Sequence, residues 1–173
     1  MLRVSGSPHI HSPETSKKIM WYVVLALLPS FIVSVVFFGY RALLLNVISV
    51  LVCVLTEYLI QKYLLKAKPT VDDGSAVITG LLLAFNVPSS LPIWQLIIGD
   101  IIAIGVAKMT FGGLGQNLFN PALIGRVFLL ISFPVDMTTW PVPNPPGVVV
   151  DAVSGPTALG FLKEGLMSGK KVD

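Results

Sequence analysis

The chain has 173 residues, of which 54% are hydrophobic and 12% charged, and its net charge is +3. Soluble domains carry about 25% charged residues, so this chain cannot cover a globule with polar surface and needs lipid as solvent over much of its area. The small, dispersed charge excludes the clustered basic face of a nucleic-acid binder, and the single cysteine, Cys53, excludes an internal disulfide and a four-thiolate iron–sulfur site.

Residues 1–18 are polar and include Pro8, His9, His11 and Pro13. The apolar run that follows is too long for a signal h-region and has no small-residue cleavage site after it, so a retained cytoplasmic segment is expected. His9 and His11 have no further ligands beside them, and no metal site is expected. The run 19–39 is long enough, at about 1.5 Å per residue, to cross a hydrocarbon core of about 30 Å. Pro29 is expected to kink it. A second span is predicted over 43–65, with Glu57 and Lys62 near its end snorkelling to the interface.

The stretch 76–87 is apolar but short. It follows Asp72-Asp73-Gly74-Ser75, a helix-start signal, and stops at Pro88, which predicts a half-helix buried among other spans. A fourth segment, 93–109, contains Asp100. A fifth, 121–133, contains Arg126 and starts with Asn120 as N-cap and Pro121 at the first helical position. An isolated charge at membrane depth costs about 2.5–3.5 kcal/mol. Asp100 and Arg126 fall at matching depths on antiparallel neighbours and are expected to pair. From Pro134 onward the chain turns wet and irregular, with six prolines between Pro134 and Pro156.

The predicted organisation is an all-α integral membrane protein with about five transmembrane or half-spanning helices. The segment 1–18 is cytoplasmic, the membrane domain covers 19–133, and 134–173 is an irregular extracytoplasmic segment. Orientation follows from the short flanks. Arg3, Lys17, Lys18, Lys62, Lys66, Lys68 and Lys108 fall on one side if the segments alternate, against Arg41 alone on the other. The N-terminus is therefore expected in the cytoplasm and everything after residue 133 outside the inner membrane.

Two motifs are candidates for chemistry. Asp151-Ala152-Val153-Ser154-Gly155-Pro156-Thr157 offers hydroxyls behind a turn-prone approach: Gly155 lets the backbone come close to a ligand and Pro156 fixes the turn. On local chemistry it reads as a plain Pro/Gly loop or as a site where an enzyme could place a phosphate on Thr157. Gly112-Gly113-Leu114-Gly115-Gln116-Asn117-Leu118-Phe119-Asn120-Pro121-Ala122 sets three glycines and several amides beside a helix N-terminus. It is either a capped loop or the lining of a ligand cavity, with Asn117 and Asn120 supplying donors and acceptors.

Together these motifs resemble the RnfD component of the Rnf electron-transport complex and the related NqrB component of the sodium-pumping NADH:quinone reductase. The resemblance rests on Ser7-Pro8-His9, on Asp73-Gly74-Ser75-Ala76 with Thr79-Gly80-Leu81, on the glycine–asparagine loop through Ala122, and on Asp151 to Thr157 as a flavinylation motif. Pro156 stands where that motif usually has alanine. The resemblance implies FMN joined through its phosphate to Thr157 by a separate flavin transferase, with Asp151, Ser154 and Gly155 around it. It implies a second, non-covalent flavin (riboflavin or FMN), for which Asn117 and Asn120 are candidate neighbours. It also implies an electron carrier, with no catalytic residue of its own, in a ferredoxin:NAD oxidoreductase that moves Na⁺ or H⁺, with other Rnf subunits and the lipid bilayer as partners. The implied fold is one half of an inverted repeat like that of urea transporters. The alternative is a small-solute permease of that fold, which would have no use for the 151–157 motif.

Overall fold

The computed structural model describes residues 15–66 and 70–141, together with Gly160, Lys163 and Met167. Helix α1 runs Ser16–Leu59 and continues as a π turn over Ile60–Leu64. Thr15 caps its start by accepting the Lys18 N–H at 3.3 Å. Pro29 lies within the helical run; the non-helical residue is Gly39, with φ 69° and ψ −158°, a combination that essentially only glycine adopts without strain. Nothing crowds the position where a Cβ would stand, so the backbone conformation alone demands glycine.

Contacts at the two ends of this helix reveal what the break does. Near the start, Trp21 Nε1 donates to Asp72 O at 3.3 Å and Lys17 Nζ lies 3.9 Å from Asp72 Oδ2. Past the end, Gln61 Nε2 donates to Thr70 Oγ1 at 3.0 Å, and the Thr70 N–H donates to Gln61 Oε1 at 2.7 Å. A straight helix would hold residues 17 and 61 about 66 Å apart, yet both reach the segment 70–72. The chain therefore doubles back at Gly39, and α1 is a hairpin of two arms, 16–38 and 40–64.

A 3₁₀ turn over Val71–Asp73 leads into α2, Ser75–Phe85. Gly74 stands before α2 in the left-handed region (φ 78°), and Asp73 Oδ1 accepts the Ser75 N–H at 2.9 Å. The acidic start therefore caps the helix through Asp73. Helix α3, Ile93–Ile101, continues through a π segment, Ile102–Lys108, and a 3₁₀ turn, Met109–Phe111. Helix α4, Pro121–Ser132, is followed by the short α5, Pro134–Thr138. At 11 and 12 residues, α2 and α4 are well short of the roughly 20 residues a full crossing needs. Ser16–Leu64 and Ile93–Phe111 are long and apolar enough to cross a membrane. Among the described residues no strand forms.

Small residues set the packing. A Cβ on Gly80 would lie 2.8 Å from Val50 Cα, and one on Gly125 would lie 2.9 Å from Gly99 O. Such close backbone approach is how helices pack where lipid removes the hydrophobic drive between them. Leu45, Leu83, Leu91, Leu96 and Leu129 fill the centre. The outer face is apolar: Leu25 is 57% exposed, Ile32 59% and Leu55 56%. Glu57, Asp100 and Lys108 are buried instead, at 1%, 0% and 1% exposure. Charge inside and hydrocarbon outside is the polarity of a chain solvated by lipid.

Candidate functional site

The polar interior is built on two facing helices. Ser49, Cys53 and Glu57 recur every four residues along the 40–64 arm, the spacing that stacks side chains on one helix face. Asp100 and Lys108 answer from α3 and its π continuation. At one level Ser49 Oγ lies 2.6 Å and Cys53 Sγ 3.3 Å from Asp100 Oδ1. Two turns along, Lys108 Nζ donates to Glu57 Oε2 and to Ser75 Oγ, both at 2.6 Å.

The network around Lys108 reaches the loops. Ser75 Oγ donates to Asp73 Oδ1 at 2.6 Å, and Gln61 Nε2 donates to Glu57 Oε1 at 3.1 Å. Five pieces of chain therefore meet at one lysine: the end of the hairpin, the turn before α2, the first residue of α2, the π segment and, through Lys108 O, the loop that follows. π turns lie beside this pair on both helices, at Ile60–Leu64 and Ile102–Lys108. Turns of that kind are frequent where a helix must aim a functional group off its regular register.

Several expectations from the sequence change here. Asp100 and Arg126 do not pair. Arg126 Nη1 donates to Asn86 Oδ1 at 3.2 Å, and Asp100 takes Ser49 and Cys53 instead. Asn86 is the C-cap of α2, so the half-buried Arg126 sits against the negative end of a helix dipole, an alternative relief for its charge. Glu57 does not snorkel; it is the partner of Lys108. Lys108 is no interfacial flank charge and drops out of the orientation count. Lys62 does behave as expected: its ammonium lies 3.0 Å from Tyr58 Oη and over the Tyr58 and Tyr63 rings.

The glycine–asparagine loop is held by its own backbone. Gly112, Gly113 and Gly115 all have positive φ, and the Gly113 N–H donates to Lys108 O at 3.1 Å. With its amide oriented to satisfy both neighbours, Asn117 Nδ2 donates to Gly113 O at 3.0 Å and Lys108 O at 3.1 Å. Asn120 Oδ1 accepts the Ala122 N–H at 3.0 Å and caps α4. Asn117 is thus engaged by the loop, while Asn120 is exposed. A cavity of about 600 Å³ opens between the arms of α1 and the end of α2, lined by Val33, Phe38, Leu45, Asn46, Phe85 and Trp140 among others. Neither Asn117 nor Asn120 lines it. Asp151, Ser154, Gly155 and Thr157 lie outside the described residues.

The profile of the NQR2, RnfD, RnfE family matches residues 3–172. The chain is 48% identical over 165 residues to the D subunit of the Na(+)-translocating ferredoxin:NAD(+) oxidoreductase complex of Acetobacterium woodii, covering 95% of this chain and 50% of that protein. It is 47% identical over 161 residues to the D subunit of the proton-translocating ferredoxin:NAD(+) oxidoreductase complex of Clostridium ljungdahlii, covering 92% and 47%. Identity is 41% over 170 residues to the D subunit of the ion-translocating oxidoreductase complex of an Escherichia coli strain, covering 92% and 48%. The chain spans about half the length of these curated relatives. Matched almost end to end and carrying its apolar face outward, this membrane protein belongs to the NQR2, RnfD, RnfE family.

Proposed function

We propose that this chain is the flavin-bearing N-terminal half of an RnfD-type subunit. In this reading Thr157 carries FMN as a phosphoester on the outer face of the inner membrane, placed there by a flavin transferase. Electrons pass between ferredoxin and NAD through the assembled complex, coupled to movement of Na⁺ or H⁺. The observation that carries the reading is the Asp151-to-Thr157 motif lying within the stretch matched by the family profile. The names of the relatives support the reaction and the coupled ion movement.

The residues suit these tasks. Thr157 supplies the hydroxyl oxygen, Gly155 leaves room for a transferase to approach it, and Asp151 and Ser154 give polar neighbours. When bound, the flavin supplies one- and two-electron chemistry that no side chain offers. Asn120 presents an amide nitrogen to a second flavin, and the short helices α2 and α4 belong to one half of a urea-transporter-like inverted repeat. The test is Thr157→Ala in the native host. The variant should accumulate normally, and its denatured gel band should lose its flavin fluorescence, with intact mass lower by one esterified FMN. Fluorescence at the wild-type level in that variant would sink the assignment.

A further inference from the structure

Asp100 has 0% exposure, as do Ser49 and Cys53 beside it. Ser49 Oγ lies 2.6 Å from Asp100 Oδ1 and 2.9 Å from Gly80 O. A serine hydroxyl has one hydrogen and can donate it once. If that hydrogen goes to Gly80 O, the shorter contact needs a hydrogen on Asp100. If it goes to Asp100, an ionised carboxylate lies buried with only a hydroxyl and a thiol near one oxygen. The other oxygen, Oδ2, has no partner among the described residues. An unpaired buried charge is far more costly than a neutral acid.

Among the described residues no cation is placed to balance the charge. On the 40–64 arm the titratable neighbours are Cys53 itself and Glu57, which already holds Lys108. From the π segment, Lys108 divides its donors between Glu57 and Ser75. From α4, Arg126 turns to Asn86, while Leu129 packs on Gly99 next to Asp100. Helix α2 contributes only the Gly80 carbonyl.

We infer that Asp100 is a proton-binding site inside the membrane domain, occupied at neutral pH, with its acid hydrogen directed to Ser49 Oγ and the Ser49 hydrogen directed to Gly80 O. A backbone carbonyl passes no proton onward, so the arrangement stores one proton and is not a wire. Any use of that proton in ion translocation rests on the Rnf-type reading above; its presence does not.

The test is infrared difference spectroscopy on the full protein in native membranes, wild type minus Asp100→Asn. The spectrum at neutral pH should contain the carbonyl stretch of a protonated carboxylic acid, and D₂O should shift it down. Ser49→Ala should keep the band and move it to higher frequency, because the hydrogen-bond acceptor is gone; this holds even where Asp100→Asn fails to fold. Absence of the band from wild type at neutral pH overturns the inference. So does its bleaching when sodium chloride replaces choline chloride at the same pH, which would make the site a sodium ligand. Flavin fluorescence of the same samples is read separately, so a dark Thr157 beside an intact acid band rejects the flavin reading alone.

Discussion

Lys108 Nζ lies 2.6 Å from Glu57 Oε2, and the two side chains are 1% and 2% exposed. They come from different helices and meet in the interior of the protein, beside the turn that leads into α2. The pair is held from both sides, by Ser75 on the lysine and by Gln61 on the glutamate. Such a pair adds little net stability over well-packed apolar residues, but leaving one partner buried alone is costly.

Removing either partner alone should therefore destabilise the protein by about 3–5 kcal/mol. Lys108→Met leaves Glu57 buried without its cation, and Glu57→Met leaves Lys108 buried without its anion. The double variant should recover most of the loss, because neither charge of the pair remains. Thermal unfolding of purified wild type, both single variants and the double variant checks this. Additive losses would mean that the ions act independently.

Gly39→Ala should destabilise by about 1–3 kcal/mol, since alanine must adopt a backbone conformation that is essentially glycine's own. The open space at the site means that no steric clash contributes. Cysteines placed at Met20 and Gly74, where the Met20 Cβ lies 3.8 Å from the position a Cβ on residue 74 would take, should form a disulfide in the parent and form it more slowly in the alanine variant. Unchanged unfolding and cross-linking would show that the hairpin does not depend on this glycine.

Asn120→Ala should cost about 1 kcal/mol as a lost N-cap on α4. If Asn120 also meets a flavin, as proposed, electron transfer through the assembled complex should fall by more than the loss of protein explains, while the flavin proposed for Thr157 is retained. Turnover unchanged at equal protein level would leave Asn120 as a cap only.

Orientation is open to direct labelling. A cysteine introduced at Gly147 should react with a membrane-impermeant thiol reagent in whole cells, and one introduced at Thr15 should not. Lys108 no longer counts toward the basic side, but Arg3, Lys17, Lys18, Lys62, Lys66 and Lys68 still oppose Arg41. The reverse labelling pattern would overturn that reading.

Local rules made some features legible in the sequence. Asn120 and Pro121 announce the start of α4, and the acidic start at Asp72–Ser75 announces α2, because caps depend on neighbours a few residues apart. The reversal near residue 39 followed from hydropathy alone. The partners of the buried ions were not legible. Asp100 and Arg126 match in depth along their helices, but depth leaves open which face each side chain occupies, and the two turn to different neighbours. The missed signal was periodicity: Ser49, Cys53 and Glu57 fall on one face of their arm, a polar stripe inside an apolar run. Lys108 looked like a terminal charge because the π segment that carries it inward has no sequence mark of its own. The flavinylation motif rests on family likeness, since residues 151–157 lie outside the described residues.

The reversal at Gly39 also bears on how the chain enters a bilayer during synthesis. Both feet of the hairpin, at Lys17 and Gln61, meet the same segment around residues 70–72, so they finish on one side of the membrane whichever way the protein faces. The first two arms can then be threaded as a closed loop, with no terminus transferred across. The turn that must pass through holds one ionic side chain, the exposed Arg41, and insertion of a single arginine at mid-membrane is opposed by about 2.5–3.5 kcal/mol. The apolar arms on either side repay that barrier several times over. A second charge beside Arg41 should slow the passage of this loop well before it affects the finished fold.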